Sequence, residues 1–81
     1  MRLSELPSDT PAVVRQVTDR QAPDVIAQRL RDLGFVDGEP LQIVARAPLG
    51  GDPILVRIGS TRFALRASEA ARVEVDTSRP A

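Results

Sequence analysis

Leu41-Gln42-Ile43-Val44-Ala45-Arg46-Ala47-Pro48-Leu49-Gly50-Gly51-Asp52-Pro53-Ile54-Leu55-Val56-Arg57-Ile58 decides the fold. Its two ends, Leu41 to Ala45 and Ile54 to Ile58, are rich in β-branched and aliphatic residues and read as strands. Arg46 to Pro53 between them cannot be regular structure. Pro48 and Pro53 each remove a backbone donor and fix φ, while Gly50-Gly51 admits positive φ. A loop of that composition has a defined shape and exposes Leu49. It reads either as a long turn between two core strands or as a docking surface.

Working outward toward the N-terminus, Val36-Asp37-Gly38-Glu39-Pro40 is a tight turn feeding the first of these strands. Before it, Ile26, Leu30 and Leu33 fall at i, i+4 and i+7 and predict an amphipathic helix over about 23–33. Pro23 suits its first position, Asp24 complements its dipole, and Gly34 ends it in the left-handed conformation. Phe35 then folds back on the last turn as in a Schellman cap. Ala12 to Val17 alternates as a strand with either face eligible to be inward, Ser8-Asp9-Thr10-Pro11 is turn chemistry, and Leu3-Ser4-Glu5-Leu6-Pro7 suits a single turn capping one end of the core.

Toward the C-terminus, Gly59-Ser60 matches a type II′ hairpin between Ile54–Ile58 and Arg62–Arg66, with Phe63 and Leu65 inward and the arginines outward. Ser68 to Ala71 reads as one helical turn begun by a serine cap, and Arg72 to Val75 as a last strand. Residues 76–81 lack periodicity and are expected to form a disordered tail, leaving one domain over 1–75. The fold class is therefore mainly β with one α-helix. About five short strands suit a small, partly open barrel, since a flat sheet of that size would leave long unpaired edges. Its expected core is Leu6, Val14, Ile26, Leu30, Leu33, Ile43, Val56, Phe63, Leu65 and Val73.

Composition narrows the function. A chain of 81 residues makes one small domain, burying roughly 60–65% of the surface its unfolded form exposes. Cysteine and histidine are both absent, which removes disulfides, thiol nucleophiles, the commonest metal ligands and the commonest general base. Eleven basic residues balance eleven acidic ones and the only aromatics are Phe35 and Phe63, so a nucleic-acid surface is not expected. No apolar run approaches the roughly 20 residues of a membrane span, and Met1-Arg2-Leu3 does not lead into a signal-peptide core, so a cytoplasmic chain is expected. The carboxylates Asp37, Glu39 and Asp52 sit in or beside turns, where they satisfy local backbone donors more readily than they catalyse. Gly50-Gly51 is followed by Asp52 rather than by the lysine of a phosphate loop. Neither enzyme activity nor a cofactor is expected. Asp37, Glu39, Asp52 and Glu69 could take up a divalent cation only weakly, and no dedicated metal site is expected.

Three segments in order, Leu30-Arg31-Asp32-Leu33-Gly34-Phe35-Val36-Asp37-Gly38, Ala47-Pro48-Leu49-Gly50-Gly51-Asp52-Pro53 and Ala64-Leu65-Arg66-Ala67-Ser68-Glu69-Ala70, followed by Val73-Glu74-Val75, resemble the ferrous iron transport protein A family, FeoA. The resemblance covers about Leu3 to Val75. It implies an SH3-like β-barrel with a helical insertion, acting as a cytoplasmic accessory of FeoB, the membrane transporter for ferrous iron that carries a GTP-binding domain. The turn at Ser8-Asp9-Thr10 departs from the family pattern in lacking a glycine. The expected docking surface on FeoB is Pro48, Leu49, Gly50, Gly51, Asp52 and Pro53, with Arg46 and Arg57 flanking it; self-association is left open. The alternative is the SH3-like regulatory domain of DtxR-type metal-dependent repressors. Since Met1 opens the first element directly, a free-standing accessory is the favoured expectation. A proline-peptide groove of the ordinary SH3 kind would need aromatic walls that two core phenylalanines do not supply.

Overall fold

Five strands form one antiparallel sheet in the computed structural model, which describes residues 1–48 and 50–77. A 3₁₀ turn at Leu3–Glu5 precedes β1 (Ala12–Val17), α1 (Val25–Leu33), β2 (Pro40–Arg46), β3 (Ile54–Ile58), β4 (Thr61–Leu65), α2 (Ala67–Ala70) and β5 (Val73–Thr77). The sheet order is β4-β3-β2-β1-β5, so β4 and β5 are its edges and the barrel is open between them. Register shifts between Val14 and Gln16 in β1, and between Ile43 and Ala45 in β2, bend the sheet as bulges do. The first bulge also fixes the face of β1. Ala12 and Val14 point inward, the extra residue resets the alternation, and Val17 is inward as well.

The core holds Leu6, Val14, Leu30, Ile43, Val56, Leu65 and Val73 as expected, while Ile26, Leu33 and Phe63 are only partly buried and pack against it. Leu3, Phe35 and Val75 are buried more completely than those three. Phe35 reaches this position through the helix end. Gly34 takes φ 114°, its N–H donates to the Arg31 carbonyl and the Phe35 N–H donates to the Leu30 carbonyl at 3.1 Å, which throws the Phe35 ring inward. There it meets Phe63, ring centroids 5.9 Å apart and tilted by 50°.

At its start α1 differs from expectation. Asp24, not Pro23, begins it: the residue is extended, and its carboxylate accepts from the Ile26 and Ala27 N–H groups at 3.1 Å, making it the N-cap. Ser68 is likewise not the cap of α2, which opens one residue earlier. The Glu69 carboxylate reaches back to the Arg66 N–H at 2.8 Å instead. β5 runs to Thr77, two residues into the expected tail, because Asp76 and Thr77 pair with Val13 and Ala12 of β1. Residues 78–81 lie outside the described residues.

The N-terminal segment is part of the fold. Met1 exchanges hydrogen bonds with Val75, and Leu3 and Leu6 are fully buried. Asp9 stands at φ 62° where the family pattern led us to expect glycine, a left-handed position aspartate tolerates, and its N–H donates to the Ile43 carbonyl at 3.0 Å.

Candidate functional site

The loop from Arg46 to Pro53 is clasped at its base and tied to two other parts of the chain. The Ala47 N–H donates to the Pro53 carbonyl at 3.0 Å, closing the neck. Gly50 and Gly51 turn the chain with φ of 98° and 72°. Pro48, Gly50, Asp52 and Pro53 are exposed, and Gly51 is half-buried against the Arg46 side chain. Leu49, the expected anchor, lies outside the described residues.

On the N-terminal side, Arg46 donates from Nε to Ser8 Oγ at 3.1 Å and from Nη2 to the Leu6 carbonyl. Its guanidinium therefore holds the loop to the opening segment. On the other side Asp52 Oδ1 accepts from the Ala67 N–H at 3.0 Å. That N–H is one of the unpaired donors at the start of α2, so Asp52 caps this turn from 15 residues away. Ser68 is the cap that chain neighbourhood suggests, whereas Asp52 reaches this N–H only through the fold.

Arg57 does not flank the loop. Its register partner is Gln42 near the far end of the β2–β3 ladder, and its guanidinium donates to Gln42 Oε1 at 2.9 Å. Three steps of extended strand separate it from Ile54, about 10 Å. The two arginines expected on either side of the loop thus occupy opposite ends of the hairpin.

A buried polar cluster lies apart from the loop. Asp24 Oδ2 accepts from the Arg20 N–H and from Arg72 Nε, each at 2.8 Å, and Arg72 Nη1 donates to the Ser68 carbonyl. The side chains are 0% and 8% exposed respectively. The Arg20 N–H, then the Arg72 guanidinium and the Ala27 N–H, hold the Asp24 carboxyl well below the usual carboxylate range; burial opposes them. All acceptor positions of this carboxylate face donors of the fold, so its work is structural. Among the described residues, no group of three or more His, Cys, Asp or Glu side chains gathers where it could hold a metal ion. The carboxylates Asp52 and Glu69 are engaged with backbone N–H groups.

An open, bulged five-stranded antiparallel sheet with a helix inserted between β1 and β2 is the architecture of an SH3-like domain. The FeoA domain model matches residues 1–77, and the chain belongs to the FeoA family. It is 40% identical over 76 residues to the Fe(2+) transport protein A/Fe(2+) transporter FeoB fusion protein of Porphyromonas gingivalis, an alignment covering 94% of this chain and 8% of that protein's length. Among solved structures, FeoA of Stenotrophomonas maltophilia complexed with zinc is 62% identical, with a TM-score of 0.88 over 94% of this chain and 89% of that one. That relative is a prokaryotic SH3 domain protein proposed as a bacterial ferrous iron transport activating factor. A manganese-dependent transcriptional repressor superimposes with a TM-score of 0.80 at 18% identity, covering 98% of this chain and 41% of that one. At that identity the likeness is one of fold alone.

Proposed function

We propose that this chain is a cytoplasmic, non-enzymatic accessory of ferrous iron uptake that docks on FeoB and modulates its GTPase activity, its transport or its assembly. The observation that carries the reading is the Porphyromonas gingivalis relative, in which an FeoA-like segment and the transporter share one polypeptide. Fusion places two segments at high effective concentration, which favours contact between them.

The docking element is the clasped loop, Pro48, Leu49, Gly50, Gly51, Asp52 and Pro53, with Arg46 at its base. Its ends are fixed by the Ala47–Pro53 clasp, the Arg46 bonds and the Asp52 cap. A surface fixed in advance loses less conformational entropy on binding than a flexible one. Leu49 is its apolar anchor. Arg57, at the other end of the hairpin, adds at most long-range steering toward an acidic partner, an effect that fades with salt.

Leu49→Asp tests the assignment. Affinity for FeoB should fall about tenfold or more, as for a hot-spot residue, while the isolated domain melts as before. Loss of thermal stability would make Leu49 a lid over the end of the barrel instead. Unchanged binding with unchanged melting would remove the loop from the interface.

A further inference from the structure

The edge of the sheet at β4 is a second, chemically different surface. A groove of about 480 Å³ runs between β4 and α1. Its apolar lining comes from Ile26, Leu30 and Leu33 on the helix and Phe63 and Leu65 on the strand, and Ile26, Leu33 and Phe63 remain partly exposed there. Arg29, Arg62 and Arg66 stand on its rim against a single carboxylate, Glu69, whose Oε1 already accepts from the Arg66 N–H. The whole chain carries no net charge, so this basic character is local. Among the described residues none of the three arginines makes an ion pair.

Backbone geometry adds a second feature. Among the described residues β4 pairs only with β3. Ile58 and Thr61 close a two-residue hairpin and are therefore a hydrogen-bonded pair, so by alternation the N–H and C=O groups of Arg62 and Ala64 point away from β3. They form an unpaired edge beside the groove. Arg62 also stands directly opposite Arg57, a like-charge cross-strand pair that is unfavourable until an anion lies nearby.

We propose that this edge binds an extended acidic peptide as a sixth strand, its main chain bonded to Arg62 and Ala64. Alternate residues of such a strand face opposite ways. Apolar side chains at every second position enter the groove over Leu33 and Phe63, and the intervening carboxylates, on the outward face, meet Arg62 and Arg66. Pairing of two copies through the same edge is disfavoured, since it brings the arginine rims together. The surface is distinct from the loop, so this reading and the docking of the loop on FeoB stand or fall separately.

A fluorescein-labelled peptide alternating glutamate with valine, about six residues long to match a strand, is the probe. Its affinity is read by anisotropy and its site by amide shifts on the intact chain. The expected result is binding tighter than about 1 mM, with shifts at Arg62, Ala64 and Leu33 and little change in the loop. Affinity should fall about tenfold in Arg62→Glu, whose melting temperature is unchanged or slightly higher, and should weaken as salt is raised. Ala64→Pro removes one outward N–H without touching the β3 ladder and should likewise weaken binding about tenfold. Absence of binding, equal binding of a lysine-valine peptide, an unaffected Arg62→Glu variant, or a dimer of this chain that covers the edge would each overturn the proposal.

Discussion

Phe35→Ala should remove about 3–5 kcal/mol from the folded state, since it deletes a fully buried aromatic ring. A domain of this size holds about 4–12 kcal/mol in all, so most of the variant's stability goes with it. The melting temperature, followed by far-ultraviolet circular dichroism, should drop by about 12 °C or more. Phe63→Ala removes the same ring from a half-buried site and should cost clearly less. Leu30→Ala, which empties a site only 2% exposed, should fall at about 2–5 kcal/mol. Equal losses for Phe35 and Phe63, or a larger loss at Phe63, would mean that the end of α1 does not turn the Phe35 ring into the core.

Asp24→Asn should lower the melting temperature at neutral pH, because the new amide points N–H toward the Arg20 N–H and the Arg72 guanidinium, where the carboxylate accepted from both. The Asp24 carboxyl is held below its unfolded value, so its contribution is complete above about pH 4 and is lost as pH falls through the lower, folded-state range. Below about pH 4 the parent should lose stability faster than Asp24→Asn, narrowing the gap. Parallel curves for the two proteins from pH 7 to strongly acidic solution would show that the carboxylate does not stabilise the fold through its charge.

What the sequence made legible is what is local to it. Gly34 followed by Phe35 announces a left-handed cap and an apolar return, and both are found. Gly59-Ser60 announces a two-residue hairpin, and Ile58 pairs with Thr61 with Gly59 at φ 59°. The inward face of β1 was not legible, because a bulge between Val14 and Gln16 changes the phase and nothing in Ala12 to Val17 marks the extra residue. Contacts across the chain were also hidden. Asp24 and Arg72 lie 48 positions apart in the sequence, and only the folded chain brings them together.

The candidate site divides in the same way. The Pro-Gly composition of residues 46–53 announces an irregular loop, and Gly50 and Gly51 do turn the chain there with positive φ. The duties of Arg46 and Asp52 within it depend on Leu6, Ser8 and Ala67, which no spacing rule joins to the loop. The placement of Arg57 beside the loop failed because position along an antiparallel ladder, not nearness to the next element in sequence, sets which end a residue occupies. The groove along β4 escaped notice because an edge exists only once the order of the strands is known.

The most direct test of the FeoB association is GTP hydrolysis by purified FeoB, measured alone and with a molar excess of this chain after co-purification of the two. A retained complex with an altered hydrolysis rate, reversed when Leu49→Asp replaces the parent, is the predicted result. A chain that does not co-purify and leaves the rate unchanged would contradict it.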